Sequence, residues 1–121
     1  LQEILGERKK RRDEVMARAL EFALCLRQTF GKASVMLYGS YARGDFNLWS
    51  DVDVLVVSEG FQKRRVLERG DLFEAPPDFE VKSYTPEEFA KIARDPSWLQ
   101  ALKEGVIILD DYGLFDQLDA G

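Results

Sequence analysis

The sequence predicts an α/β (α+β) domain, a small mixed β-sheet with flanking helices. Three observations carry that prediction. A helical-period apolar stripe runs through residues 1–30. Three short, mostly apolar runs at residues 33–38, 52–58 and 106–109, and an alternating run at 79–84, have strand length. Helical signals separate those runs, giving the order α-β-α-β-α-β-α-β.

The first helix rests on Val15, Ala19, Phe22, Leu26 and Phe30, with Met16, Leu20 and Ala23 widening the stripe. Gly31 is its expected stop. Residues 1–12 form a polar, mobile helical start, and Glu7 to Arg12 read as a solvated helix face. Ala33 to Tyr38 is the first strand, after which Gly39-Ser40 turns into a short helical segment ended by Gly44. Asp45 to Ser50 is a loop. Val52 to Ser58 is nearly continuous Val and Leu, as in a strand buried on both faces. Phe61 to Leu72 has helical character, and Ala75-Pro76-Pro77-Asp78 is a rigid connector. Phe79 to Tyr84 alternates as a strand does. Thr85-Pro86-Glu87-Glu88 is a capping-box helix start, with Pro86 at the first helical position. That helix runs to about Ala93. Ser97 to Lys103 is another short helix, Val106 to Leu109 the last strand, and residues 114–121 a tail. Residues 1–121 are expected to form a single domain.

Composition narrows the chemistry. Seventeen basic against 22 acidic residues leave a net charge of -5. That argues against general nucleic-acid binding, which needs Lys and Arg against phosphates. The chain has no histidine, which excludes histidine bases and histidine-ligated metals. Cys25, expected in the core of the first helix, is the sole cysteine and excludes an intrachain disulfide. Proton transfer must fall to a carboxylate, a lysine, a tyrosine or water. No apolar run has the length to span a bilayer, and a reducing cytoplasmic setting is expected.

The chemistry centres on Gly39-Ser40 and on Ser50-Asp51-Val52-Asp53. Residues two apart on a strand point to one face, so Asp51 and Asp53 project together. They lie beside a turn that can accept phosphate oxygens. Paired hard oxygens next to a phosphate cradle suggest Mg²⁺-dependent chemistry on a nucleoside triphosphate.

Gly39-Ser40, ten intervening residues and Asp51-Val52-Asp53 resemble the signature of the nucleotidyltransferase superfamily that includes DNA polymerase beta. The fuller string, GSYARG then SDVDVLVV, is similar to the minimal nucleotidyltransferases, small prokaryotic proteins often paired with HEPN proteins. The resemblance covers roughly residues 31–110 and implies the nucleotidyltransferase fold. It implies two Mg²⁺ ions held by Asp51, Asp53 and a third carboxylate, with ATP as nucleotide donor. Glu80 is the better match for the third carboxylate, although members usually carry Asp there; Asp78 is the competing candidate. Gly39 and Ser40 would contact the triphosphate, with Arg43 and Lys82 as further candidate contacts. Arg43 could instead pair with a nearby acid. The family implies an antitoxin that adenylylates a HEPN-type partner, in a homo- or hetero-oligomer. Neutralisation by binding alone and transfer to a small molecule are the alternatives. Tyr41 reads as packing. Trp49, in the loop before the Asp pair, could line the nucleotide cleft or a partner surface.

Overall fold

The computed structural model describes residues 2–47, 49–62 and 66–116. The chain runs α1 (Gln2–Phe30), β1 (Ser34–Tyr38), α2 (Ser40–Arg43), β2 (Val52–Val57), β3 (Phe79–Tyr84), α3 (Pro86–Ile92), α4 (Pro96–Glu104) and β4 (Val106–Asp110). The four strands form one mixed sheet in the order β3-β2-β1-β4. β1 is antiparallel to both β2 and β4, whereas β2 and β3 are parallel.

Alternation along the strands builds two cores. Val35 and Leu37 of β1, with Val52, Val54 and Val56 of β2, pack against Val15, Ala19, Phe22, Ala23 and Leu26 of α1. Met36 and Tyr38, with Leu55 and Val57, pack on the other face against Phe89 of α3, Leu102 of α4 and Phe115. Both faces of β2 are therefore covered, which is why its sequence lacks polar alternation.

Local signals account for the ends. Gly31 stops α1 at φ 89°, its N–H donating to the Arg27 carbonyl at 2.7 Å. Thr85 and Glu88 close the capping box at the start of α3, so two otherwise orphaned N–H groups are satisfied.

Four expectations are corrected. The helix expected over Phe61 to Leu72 is two 3₁₀ segments, Glu59–Phe61 and Val66–Leu72, with residues 63–65 outside the described residues. Gly70 disfavours a continuous helix there, and Arg69 fastens the segment instead, donating to the Ser83 carbonyl at 3.0 Å and pairing with Glu88. Leu20 is 44% exposed and Cys25 is exposed, because the sheet covers a narrower arc of α1 than the apolar stripe spans. Arg11 and Arg12 are not simply solvated: they reach α2, as described below. The tail is anchored at its start, since Asp110 accepts from the backbone N–H groups of Leu114 and Phe115, each at 3.0 Å, and Phe115 is buried. Residues 117–121 of that tail lie outside the described residues.

Candidate active site

β1 ends at Gly39, whose φ of 74° and ψ of -151° belong to a region that side chains disfavour. Its carbonyl accepts from the N–H groups of Ala42 and Arg43, each at 3.1 Å, so the chain coils into α2 at once. Gly44, at φ 91°, ends that coil. Tyr41 of α2 is buried and stacks on Phe46, with centroids 4.1 Å apart. Arg11 of α1 donates to the Tyr41 hydroxyl at 3.3 Å, and Arg12 donates to the Ala42 carbonyl at 3.2 Å. The long first helix thus fastens the Gly-Ser turn from below.

The following loop is tied by its own side chains. The Trp49 N–H donates to Asn47 Oδ1 at 2.8 Å, and the Asn47 N–H donates to Ser50 Oγ at 2.9 Å. Trp49 is 90% exposed. Arg43 pairs with Asp45 at 3.2 Å.

Cross-strand register then lines up the central groups. Tyr38 of β1 lies opposite Asp53 of β2, and Asp53 lies opposite Glu80 of β3. This makes one row across three strands, Tyr38–Asp53–Glu80, on the face that carries α3 and α4. Asp51 stands two residues before Asp53 and is exposed, as is Glu80, while Asp53 is half-buried. Burial raises the pKa of Asp53 above its ordinary value, and the Glu80 charge, a hydrogen bond with Glu80 and the Asp51 charge push it the same way. Lys82 acts in the opposite sense. Gly39 completes the arrangement: a Cβ on it would overlap Oδ2 of Asp53 and lie 3.2 Å from its Cγ. The turn therefore lies flush against the central carboxylate because residue 39 has no side chain.

Asp78 is committed elsewhere. Arg18 of α1 holds it through both guanidinium nitrogens, one at 3.1 Å, and Arg11 lies 3.6 Å away. The Arg18 hydrogen bonds hold its carboxyl below the usual range. Its backbone carbonyl accepts from the Val52 N–H at 2.8 Å. The structure thus brings Glu80, not Asp78, to the Asp53 row.

Among the described residues, no three acidic, cysteine or histidine side chains already converge on one point. The donor set nevertheless fits a divalent cation. It consists of hard oxygens, and the strand register sets Glu80 beside Asp53, where their like charges repel. A cation between them would relieve the repulsion.

Two aromatic residues of this region are not connected to the site by sequence reasoning. In the sequence Tyr38 reads as the end of a strand and Trp98 as an unusual helix residue. No sequence signal gives the strand register that sets Tyr38 opposite Asp53, or the packing that brings Trp98 of α4 against Tyr38.

The chain matches the family described as "Nucleotidyltransferase domain" over residues 20–107, and it belongs to that family. The matched segment contains Gly39, Ser40, Asp51, Asp53, Glu80 and Lys82. A Methanocaldococcus jannaschii protein named "putative protein adenylyltransferase" is 46% identical over 48 residues, covering 38% of this chain and 33% of that protein. The chain thus matches about a third of that relative's length. A solved structure of a "putative nucleotidyltransferase" from Sulfolobus solfataricus shares the fold, with a TM-score of 0.60. It is 20% identical, and the superposition covers 83% of this chain and 84% of that one. Among the described residues, no helix is long and apolar enough to cross a membrane.

Proposed function

We propose that this chain transfers a nucleoside monophosphate, AMP from ATP, to a hydroxyl on a partner protein in a Mg²⁺-dependent reaction. The observation that carries the reading is the Asp53–Glu80 row with the Gly39 backbone packed flush against Asp53. Bound Mg²⁺, two ions in this reading, would neutralise the triphosphate and lower the pKa of the attacking hydroxyl. Asp51, Asp53 and Glu80 are the residues that would hold it. The Gly39 N–H and the Ser40 hydroxyl donate to phosphate oxygens at the turn, and Lys82 adds a positive charge beside Asp53. The acceptor oxygen bonds to the α-phosphorus as the bond to the leaving pyrophosphate breaks, and the hydroxyl proton passes to a carboxylate of the row or to water.

Two observations support a protein acceptor. Asp51 and Glu80 are exposed, which leaves the row open to a large substrate. The M. jannaschii relative carries the name of a protein adenylyltransferase. We take the acceptor to be a HEPN-type toxin and this chain to be its antitoxin, on the strength of the sequence resemblance. A donor such as ATP and a single free cysteine agree with a cytoplasmic setting.

The test is incubation with Mg²⁺ and ATP labelled at the α-phosphate, with and without the product of the neighbouring reading frame. Wild type is compared with the Asp51→Ala/Asp53→Ala double variant. Label on the partner with wild type alone is the expected result. A tight complex with no label from either protein would identify a module that neutralises by occlusion, and would refute transfer.

A further inference from the structure

The carboxylate row has a second boundary, formed from α4. Tyr38 adjoins Asp53 in the register, on the side away from Glu80. Its ring is buried, and its hydroxyl, which makes no hydrogen bond among the described residues, is open to solvent and so to a ligand. Register sets Tyr38 directly opposite Asp53, so it stands at the end of the row. At neutral pH a phenol is protonated and can donate.

Trp98 of α4 ties Tyr38 to a second donor. Its ring lies 5.6 Å from that of Tyr38, tilted by 56°, and 6.4 Å from that of Tyr84, edge-on at 86°. The Lys82 ammonium sits over the Trp98 ring, 5.0 Å from its centroid. Lys82 is two residues after Glu80 on the same face of β3, and its side chain is otherwise exposed. The indole face holds that ammonium near Asp53.

We propose that Tyr38 and Lys82, both held by Trp98, form a donor wall that takes polyphosphate oxygens of the nucleotide from the α4 side of the row. Gly39 and Ser40 approach from the end of β1. Trp98 is a positioning residue, whereas Tyr38 and Lys82 touch the ligand. The inference rests on the nucleotidyltransferase reading above and adds Tyr38 and Trp98 to it. Chemically the wall suits a chain of phosphate oxygens, because it offers one neutral and one charged donor beside a carboxylate row that repels anions unless a cation intervenes.

The test measures binding of Mg·ATP and of Mg·pyrophosphate by calorimetry, for wild type and for Tyr38→Phe, Lys82→Met, Trp98→Phe and Trp98→Leu. Tyr38→Phe removes one hydrogen bond to a charged acceptor and should weaken both ligands about tenfold. Its melting temperature should stay unchanged. Trp98→Leu should weaken both about fivefold, and its effect should shrink but not vanish in a Lys82→Met background, where only Tyr38 is left for it to hold. Trp98→Phe, which keeps an aromatic face, should recover part of that loss. In labelling assays KM for ATP should rise more than kcat falls. With Trp49→Phe as the reference background, Trp98 fluorescence should respond to Mg·pyrophosphate alone.

Unchanged binding in Tyr38→Phe overturns the wall. So does a loss for ATP with none for pyrophosphate, which would move the cluster to the nucleoside. If Trp98→Leu does not fold, Tyr38→Phe and Trp98→Phe decide the matter. A wild-type protein that binds neither ligand overturns the nucleotidyltransferase reading itself. That outcome is distinct from a wild type that binds and variants that bind equally well.

Discussion

Gly39→Ala acts on the strand end and on the central carboxylate together, and its cost can be divided between them. At φ 74° and ψ -151°, an alanine sits where nearly all side chains are excluded, which costs about 1–3 kcal/mol. Its Cβ also overlaps Oδ2 of Asp53, so that side chain must turn off its rotamer, at about 0.5–1.5 kcal/mol. A stiffer unfolded chain returns about 0.4–1 kcal/mol. The net loss is about 2 kcal/mol, which for a chain of this length lowers the melting temperature by about 8 °C. Gly44→Ala is the internal control. Its φ of 91° and ψ of 4° impose left-handed strain of about 1–2 kcal/mol. A Cβ there meets nothing within 4 Å. It should melt about 4 °C lower and bind Mg·ATP as wild type does. Gly39→Ala should lose Mg·ATP binding by more than tenfold, since the displaced carboxylate is the central one of the row. Scanning calorimetry and titration calorimetry read the two effects separately. In an Asp53→Ala background the overlap with the carboxylate is gone, so Gly39→Ala should cost about 1 kcal/mol less than in wild type. An additive cycle, or Gly39→Ala binding as tightly as Gly44→Ala, would refute the packing argument.

Three further outcomes follow from named contacts. Asp78→Ala should lower the melting temperature by removing the partner of Arg18, yet leave Mg·ATP binding intact; Glu80→Ala should do the reverse, and titration calorimetry on both decides which carboxylate serves the site. Arg69 holds the Glu88 carboxyl below its ordinary range, so the pair contributes fully above the usual glutamate pKa and loses its contribution as pH falls through the depressed value. Glu88→Gln keeps the capping geometry but loses the ion pair, so it should be about 1–2 kcal/mol less stable at pH 7. Melting curves of variant and wild type should converge in acid, and a gap that persists would refute the ion-pair assignment. Cys25 is exposed, so a maleimide should label it to completion in the folded protein, under conditions in which a core thiol stays unlabelled.

Much of the site was legible because its signals are local. The Gly-Ser turn and the two aspartates lie within fifteen residues and declare a tight turn and a strand. Thr85-Pro86-Glu87-Glu88 specified its helix start through side chain to backbone bonds that need no tertiary partner. Ambiguity began where two candidates differed only in their distant neighbours. Asp78 and Glu80 are two residues apart on the same chain, and sixty residues of sequence separate Asp78 from the Arg18 that claims it. The same limit misassigned Cys25. Helical periodicity gives the direction of an apolar stripe, but how wide an arc the sheet covers depends on how α1 crosses it. Phe61 to Leu72 is helical only in 3₁₀ form: its fastening is the Arg69 contact to Ser83 and Glu88, which local propensity cannot anticipate.

The sequence by itself determined the strands and helices, the Gly-Ser turn and the paired carboxylates, because these depend on backbone preference and periodicity within a few residues. Tertiary structure alone decided which groups share the site. Strand register put Tyr38, Asp53 and Glu80 in one row, α1 drew Asp78 away, and α4 brought Trp98 over Lys82. The physical reason is that a side chain's electrostatic and hydrogen-bonding environment is set by neighbours across strands and helices, whose distance along the chain bears no relation to their distance in space.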